Sequence, residues 1–289
     1  MKESHENELD SLEIFKIIKK INDEDKKIAI AVEKELSNIE KAVKLIVKSF
    51  ENGGRLIYIG SGTSGKLGVI DASECPPTFG ICDSMVQGII SGGQEALSGW
   101  LEHTEDDPKL AIHDLSGVSI NKKDVIVGIT ASGNTPYVVA AMEYAKEMGC
   151  RTIALMCNSK GKLKDICEVT IAIEVGPEII LGSTRMKAGS AQKMVLNMLS
   201  TVSMIKLGKT YTNLMVNVQP INKKLKERVR DIVKLATGMD DSVVNEILEK
   251  CAFDPKVSII MIKKNVTVEK SKEALEKMDG NVAKALAIL

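Results

Sequence analysis

Short apolar runs rich in valine and isoleucine alternate along this chain with longer stretches of helical periodicity. The runs cover residues 56–59, 85–90, 125–129, 152–156 and 169–173. Strands that are apolar along their whole length are typical of sheets buried on both faces, and helical crossovers between them make the sheet parallel. We therefore predict an α/β fold with three layers, in which a parallel sheet lies between two layers of helices.

The segments on either side of this central part show helical patterns alone. In residues 1–53 the apolar side chains keep a helical spacing, and Asn22 and Asp23 are predicted to cap the second of two helices. Residues 218–289 are rich in lysine and glutamate and form a predicted small helical subdomain. Helices are expected there at 225–236, 242–251, 268–278 and 281–289. The sheet domain is predicted to occupy residues 54–217.

Charge and cysteine usage exclude several classes of protein. The chain has 39 basic and 39 acidic side chains, so it lacks the basic excess of a nucleic-acid or membrane-surface protein. No apolar run approaches the roughly 20 residues that span a bilayer, and the first residues lack the apolar core of a signal peptide. The 6 cysteines include no C-x-x-C pair, and there are only 3 histidines. We expect a cytosolic protein without a zinc site or disulfide framework.

The first apolar run leads into the sequence GSGTSG at residues 60–65. The form G-x-G-x-x-G after a strand matches a dinucleotide fingerprint, which also needs an acidic residue about 20 residues further on. Residues 86–91 hold no carboxylate. We favour a monophosphate cradle in which Gly62, Thr63 and Ser64 bind the anion through backbone N–H groups and hydroxyls. A purely structural turn is the alternative.

A second hydroxyl-rich turn follows the third run, with the sequence TASGNTP at residues 130–136. Asn134 or Thr135 could serve only as a helix cap. Two such turns on one parallel sheet can face the same ligand, because ligands bind beyond the carboxyl ends of the strands. We therefore predict that Ser132, Gly133, Asn134 and Thr135 bind the same phosphorylated small molecule.

A third cluster, GSTRMKAG at residues 182–189, precedes a long predicted helix. It places Arg185 and Lys187 beside Ser183 at the start of that helix. Cations at a helix N-terminus oppose the helix dipole, and a bound anion would relieve the conflict. Ser183, Arg185 and Lys187 are therefore candidate ligand-binding residues, with a solvated helix start as the alternative.

Three motifs together resemble one family of enzymes. They are GSGTSGKLGVIDASECPPTFG, ASGNTPYV and GSTRMKAGSAQKMVLNMLST. The chain is similar in these blocks to the N-acetylmuramic acid 6-phosphate etherases, a sugar isomerase (SIS) domain family related to the glucokinase regulatory protein. The DASECPPTFG block is the specific one, since SIS domains in general share only the Ser/Thr turns. The resemblance runs from about residue 9 to the C-terminus.

The resemblance implies a homodimeric lyase that cleaves a lactyl ether, releasing N-acetylglucosamine 6-phosphate and D-lactate. It also implies two catalytic residues with acidic side chains. These are Glu74 in the ASECPP block and Glu105 in the stretch EHTED, where His103 replaces the family's usual glycine. Proton removal at C2 and departure of lactate from C3 need a base and an acid, for which we assign Glu105 and Glu74. Such acid–base chemistry requires neither a metal nor a cofactor. Lys66, Arg185 and Lys187 are candidates for neutralising the phosphate and the lactyl carboxylate.

The position of Glu74 raises a geometric question. A continuous helix from Gly65 would carry Glu74 about 13 Å from the phosphate turn, farther than a sugar phosphate reaches between its phosphate and C3. Pro76 and Pro77 predict that the helix breaks just after Glu74. Either the helix also breaks earlier, before Glu74, or the two groups meet across a subunit interface.

Other functions and the C-terminal segment leave further alternatives. A phosphosugar isomerase would share the cradle and the C2 base, and a non-catalytic phosphosugar-sensing regulator would share the cradle alone. Residues 278–286 resemble the last helix of ubiquitin-associated-like three-helix modules, which can bind a partner but more often serve in packing.

Overall fold

The computed structural model describes residues 9–99, 104–218 and 220–289. Within them, five parallel strands form one sheet in the order β2-β1-β3-β4-β5. The strands are β1 (Leu56–Gly60), β2 (Val86–Ile90), β3 (Val125–Ile129), β4 (Arg151–Met156) and β5 (Val169–Ala172). The first and last residues of each strand lie within one residue of the predicted bounds, and all four strand pairs are parallel. The predicted parallel sheet is therefore confirmed.

Helices precede the sheet, connect its strands and follow it. A short 3-10 helix, Leu9–Ser11, opens the described chain. The helices up to the end of the sheet domain are α1 (Ile14–Glu33), α2 (Leu36–Glu51), α3 (Gly62–Phe79), α4 (Gly93–Ser98), α5 (Pro108–Gly117), α6 (Pro136–Glu147), α7 (Leu163–Ile166) and α8 (Lys187–Lys206). The C-terminal helices are α9 (Lys223–Thr237), α10 (Asp241–Lys250), α11 (Pro255–Lys264), α12 (Val268–Lys277) and α13 (Val282–Ile288). None of these described helices is long and apolar enough to cross a membrane.

The side chains of β1 alternate between two hydrophobic cores, as the period of a strand requires. Leu56 and Tyr58 lie in a core shared with α1, α2, α3 and α8, whereas Ile57 and Ile59 lie in a core shared with α5 and α6. All four side chains are fully buried, so helices cover the sheet on both faces. The three-layer α/β/α architecture is therefore confirmed.

The N-terminal helices differ from the prediction at one boundary. Asn22 and Asp23 do not begin a helix; α1 runs through them without interruption. Asp23 contacts Lys19 and Lys26 on the same helix, at 3.5 and 2.8 Å, so its carboxylate supports the helix interior. The chain instead turns at Lys34 and Glu35, and the predicted cap was wrong.

Helix α3 also differs from the prediction. It does not break before Pro76 but continues through Pro76 and Pro77 to Phe79, and Gly80 ends it in the left-handed conformation with φ 62°. A proline has a helix-compatible φ, and its missing N–H costs only the partner of the carbonyl four residues earlier. The N–H of Gly80 closes the last turn by donating to Pro76 O at 2.9 Å. An early break of this helix is thus excluded.

The C-terminal helices pack around a separate hydrophobic core that includes Val216, Val229, Leu248 and Ile260. Four of them begin at side chains that accept hydrogen bonds from backbone N–H groups, namely Asn222, Asp254, Thr267 and Asn281. Helix α11 was missed by the sequence analysis, because residues 257–261 are all buried and show no helical period. The division of the chain at residues 53 and 217 stays a prediction.

Candidate active site

The sheet order places a crevice between β1 and β3. Helix α3 follows β1 on one face of the sheet and α6 follows β3 on the other, and ligands bind at such a switch point. A cavity of about 240 Å³ lies there, at the carboxyl ends of the two strands. It is lined by Ser61, Gly62, Thr63, Ser64, Glu105, Ile129, Thr130, Ala131, Ser132, Thr135 and Thr184.

The turn from β1 into α3 is held in a tight conformation by two glycines. A Cβ at Gly65 would lie 2.6 Å from Gly60 O, so neither residue tolerates a side chain there. Ser61 occupies the N-cap position of α3, but its hydroxyl bonds to no N–H of the helix. Its Oγ is buried and has no hydrogen-bond partner among the described residues. The turn therefore leaves a hydroxyl and the first N–H groups of α3 available to a ligand.

Three hydroxyls of the turn from β3 into α6 form a chain of contacts beside the cavity. Thr130 Oγ1 lies 2.8 Å from Thr135 Oγ1 and 3.4 Å from Ser132 Oγ. Thr135 is the N-cap residue of α6, yet its hydroxyl bonds to Thr130 rather than to the helix. The hydroxyl of Thr135 therefore does not cap α6.

Gly133 and Asn134 shape this turn and do not line the cavity. Gly133 has φ +73°, and a Cβ there would lie 2.7 Å from Gly161 Cα. Asn134 Oδ1 accepts from Lys162 N at 3.0 Å, while its Nδ2 donates to Ser132 O at 3.2 Å. Both polar ends of the Asn134 amide thus connect parts of the loop.

Glu105, the predicted base, is one of the residues that line the cavity. Hydrogen bonds hold the backbone carbonyl of Glu105 and the side chain of the preceding residue, Thr104. Tyr137 N donates to Glu105 O at 3.0 Å, and Thr104 Oγ1 donates to Ser91 Oγ at 3.2 Å beyond the end of β2. Glu102 and His103 of the same stretch lie outside the described residues.

Glu74 does not line this cavity. It is exposed on α3, 12 residues beyond the first residue of that helix, a rise of roughly 18 Å. Ile70, one turn earlier on the same face, is 49% exposed. A single chain therefore does not bring the predicted acid and base together.

The third predicted cluster is divided by the structure. Thr184 lines the cavity, whereas Ser183, Arg185 and Lys187 do not. Lys187 is buried, and its Nζ lies 2.6 Å from Glu24 Oε2 on α1. This hydrogen bond is the main reason that the pKa of Glu24 is lowered. Lys187 is thus a buried ion-pair partner that is not brought to the cavity.

The N-terminus of α8 already holds an anion of the chain itself. The carboxylate of Glu178 accepts from Lys187 N and Ala188 N, both at 3.0 Å. It neutralises the helix start where we predicted a bound anion, so that argument for a ligand at α8 was wrong. Arg185 is exposed and pairs with no carboxylate among the described residues. Lys66, the third candidate cation, does not line the cavity either, and its Nζ lies 3.5 Å from Gly99 O.

Seven of the eleven lining residues carry a hydroxyl, and the lining holds one carboxylate and no cation. The sequence analysis had not selected Ser61, Thr130 or Thr184, although all three lie within its motifs. Gln192 on α8, which lies within the third motif, was also not among the predicted site residues. Gln192 Oε1 accepts from Ser64 Oγ at 2.9 Å, and no motif spacing links residues so far apart. The described residues contain no cluster of side chains that could hold a metal ion.

Comparisons with known proteins identify the family. Residues 38–146 match the model of the glucokinase regulatory protein N-terminal SIS domain, and residues 107–202 match the SIS domain. The chain is 53% identical to an N-acetylmuramic acid 6-phosphate etherase of Clostridium botulinum (strain Loch Maree / Type A3), over 96% of this chain and 92% of that one.

Two further matches extend the likeness. The identity is 48% to the N-acetylmuramic acid 6-phosphate etherase of Geobacillus sp. (strain WCH70), over 96% and 94% of the two chains. A phosphoheptose isomerase structure from Francisella tularensis matches in fold, with a TM-score of 0.53 at 17% identity over 67% of this chain and 100% of that one. The identities to the etherases extend over nearly the whole of each chain. The chain belongs to the N-acetylmuramic acid 6-phosphate etherase family.

Proposed function

We propose that this chain is a carbon–oxygen lyase that cleaves the D-lactyl ether of N-acetylmuramic acid 6-phosphate. The products are N-acetylglucosamine 6-phosphate and D-lactate, a reaction of cell-wall amino sugar recycling. The observation that carries the proposal is the cavity between β1 and β3, whose lining combines seven hydroxyl side chains with one acidic residue, Glu105.

The hydroxyl wall suits the phosphate of the substrate. A phosphate dianion needs many hydrogen-bond donors, and the turn offers the hydroxyls of Ser61 and Thr63 and the free N–H groups at the start of α3, with Ser64 beside them. The buried, unpartnered Oγ of Ser61 supports this role, because such a group is costly unless a ligand satisfies it. The dipole of α3 supplies positive potential in a lining that contains no lysine or arginine.

Glu105 acts as the base in the proposed reaction. Once the sugar ring opens, the C1 aldehyde makes the C2 proton acidic, and the Glu105 carboxylate removes it. Lactate then leaves from C3 with its ether oxygen protonated by Glu74, which gives an unsaturated aldehyde. Water adds across the new double bond at C3 and returns the proton to C2, and closure of the ring gives the product. The two glutamates need opposite protonation states at the start.

We propose further that the working unit is a homodimer in which the partner supplies Glu74. Helix α3 is continuous, so Glu74 cannot reach the cavity of its own chain by a break in the helix. The exposed face of α3 that carries Glu74 also carries Ile70, and α1 exposes Ile14 and Phe15 at 77% and 74%. A two-fold partner would bury such apolar side chains with one self-complementary patch.

The cytosol is the proposed location, and the chemistry proposed here calls for no cofactor. All six cysteines are free thiols, which a reducing compartment maintains.

Release of D-lactate from N-acetylmuramic acid 6-phosphate tests the proposal. We expect one D-lactate per N-acetylglucosamine 6-phosphate formed, and little turnover of N-acetylmuramic acid without its phosphate. Formation of an isomerised sugar phosphate without lactate would establish the isomerase instead. Binding of hexose 6-phosphates without any turnover would support the phosphosugar-sensing regulator.

A further inference from the structure

Ser64 cannot bind a phosphate dianion with the hydrogen bond that it makes in this structure. Its hydroxyl donates to Gln192 Oε1 at 2.9 Å. A serine hydroxyl has a single hydrogen, and the oxygens of a phosphate dianion only accept. The side chain lines the proposed phosphate site, yet its one donor is directed to α8.

The other end of the Gln192 amide is unsatisfied. Gln192 is 1% exposed, and its Nε2 has no hydrogen-bond partner among the described residues. A buried amide nitrogen without a partner is unfavourable, and native structures contain few of them. An arrangement in which Nε2 donates would remove that cost.

We infer that Gln192 is a positioning residue whose side-chain amide rotates when the phosphate of the substrate binds. After a half-turn, Nε2 donates to Ser64 Oγ, and the Ser64 hydrogen is released to donate to the phosphate. The inference rests on the proposed function. The orientation of the Gln192 amide determines whether the Ser64 hydroxyl donates to Gln192 or to the phosphate. Gln192 itself lies outside the lining of the cavity and acts through Ser64.

The bound state makes two hydrogen bonds through Ser64, where the free state makes one. In the free state one amide oxygen is satisfied and the amide nitrogen is not. In the bound state the nitrogen donates and Ser64 makes a hydrogen bond to a charged group, which is the stronger kind. The amide oxygen loses its partner, but an unpaired acceptor is tolerated more readily than an unpaired donor. A phosphate that accepts the Ser64 hydrogen therefore favours the rotated amide further.

The test is a double-mutant cycle of Ser64→Ala and Gln192→Met, read as the dissociation constant of N-acetylglucosamine 6-phosphate. Methionine keeps the length of the side chain without its polar atoms. Ser64→Ala should weaken binding about 10- to 100-fold, the loss of one hydrogen bond to a charged group. Gln192→Met should weaken binding less than this, and it should have no further effect in the Ser64→Ala chain.

A matched control separates this role from mere packing. Ser203 on the same helix is also fully buried with an unpartnered Oγ, but it does not line the cavity. Ser203→Ala should leave sugar phosphate binding unchanged. Gln192→Met should raise KM for the phosphorylated substrate and leave kcat within about twofold, because the phosphate is remote from C2 and C3.

The outcomes distinguish this inference from the proposed function. Effects of Ser64→Ala and Gln192→Met that multiply in the double variant, or Gln192→Met with unchanged binding, overturn the role of Gln192 while lactate release still supports the etherase. A chain without substitutions that neither binds N-acetylglucosamine 6-phosphate nor releases lactate overturns both.

Discussion

At the scale of single residues, the two proposed catalytic carboxyls differ in what surrounds them. Both residues are exposed, but Glu105 lines the hydroxyl-rich cavity, whereas Glu74 lies on α3 outside the cavity lining. The sequence resemblance assigned both residues, but it carries no information on which groups surround each of them. In the proposed reaction their roles are separable, because removal of the C2 proton precedes departure of the lactate.

Substitution of each glutamate should therefore stop the reaction at a different step. Glu105→Gln should slow exchange of the C2 proton with deuterated solvent, and Glu74→Gln should abolish lactate release while exchange continues. Each change should reduce turnover about 10²- to 10⁴-fold, the usual loss for a general acid or base. The control is Asp106→Asn, an exposed neighbour outside the cavity lining, which should keep its activity. Near-normal lactate release by Glu74→Gln would remove that residue from the mechanism.

The cysteines offer a second test at the same scale. Cys82 is exposed, and a hydrogen bond with Ser84 lowers the pKa of its thiol. Burial raises the pKa of Cys75, in the same motif as Glu74, to about 12. Since the thiolate is the reactive form, iodoacetamide at pH 8 should modify Cys82 first and Cys75 only after unfolding. Rapid modification that persists in Cys82→Ser would contradict this order, and peptide mass spectrometry locates the modified thiol.

At the scale of helices and strands, local pattern predicted most of the architecture. All five strands and the start of α8 follow from apolar runs and from the turns between them. Helix α11 was not predicted. Its residues from Ser258 to Met261 are all buried, so the helix lacks the alternation of apolar and polar residues with a period of 3.6 that identifies a helix in a sequence. The hydrogen-bond partners of Lys187 were not predicted either, for another reason. Glu24 and Glu178 are distant in sequence, and tertiary packing alone brings them to the start of α8.

The contact between α1 and α8 predicts a pH dependence of stability. Hydrogen bonds from Lys187 and then Lys27 hold the pKa of Glu24 below its ordinary value of 4.5. A carboxyl with a lowered folded-state pKa stabilises the fold above about pH 4.5, and this contribution is lost as pH falls through the folded-state value. Glu24→Gln should cost about 1–3 kcal/mol at pH 7, less than a fully buried pair would lose.

Urea unfolding between pH 3 and pH 7 measures that contribution. Stability should fall less steeply with acid in Glu24→Gln than in the chain without substitutions. The control is Glu40→Gln, which removes an exposed pair with Lys44 and should change little. Equal acid sensitivity of the two variants would show that the α1–α8 ion pair does not contribute as described.

At the scale of the whole molecule, sequence reasoning left open whether one chain holds a complete site. It could give the length of α3 but not its continuity, because Pro76 and Pro77 predict a break that does not occur. The continuous helix directs Glu74 outward, on a face shared with the exposed Ile70. The single chain therefore presents the proposed phosphate site and the proposed base, and the proposed mechanism takes its acid, Glu74, from a partner chain.

Mixed dimers of two inactive variants test that arrangement. A Glu74→Gln chain lacks the proposed acid, a Glu105→Gln chain lacks the base, and each alone should be inactive. If each site takes Glu105 from one chain and Glu74 from its partner, a mixed dimer contains one site with both glutamates intact. Random exchange in an equal mixture makes half of the dimers mixed, so about a quarter of the full activity should return. If both glutamates of a site belong to one chain, every site in the mixture carries a substitution. Activity then stays absent even when subunit exchange is demonstrated, and a monomer in sedimentation at micromolar concentration would contradict the shared site as well.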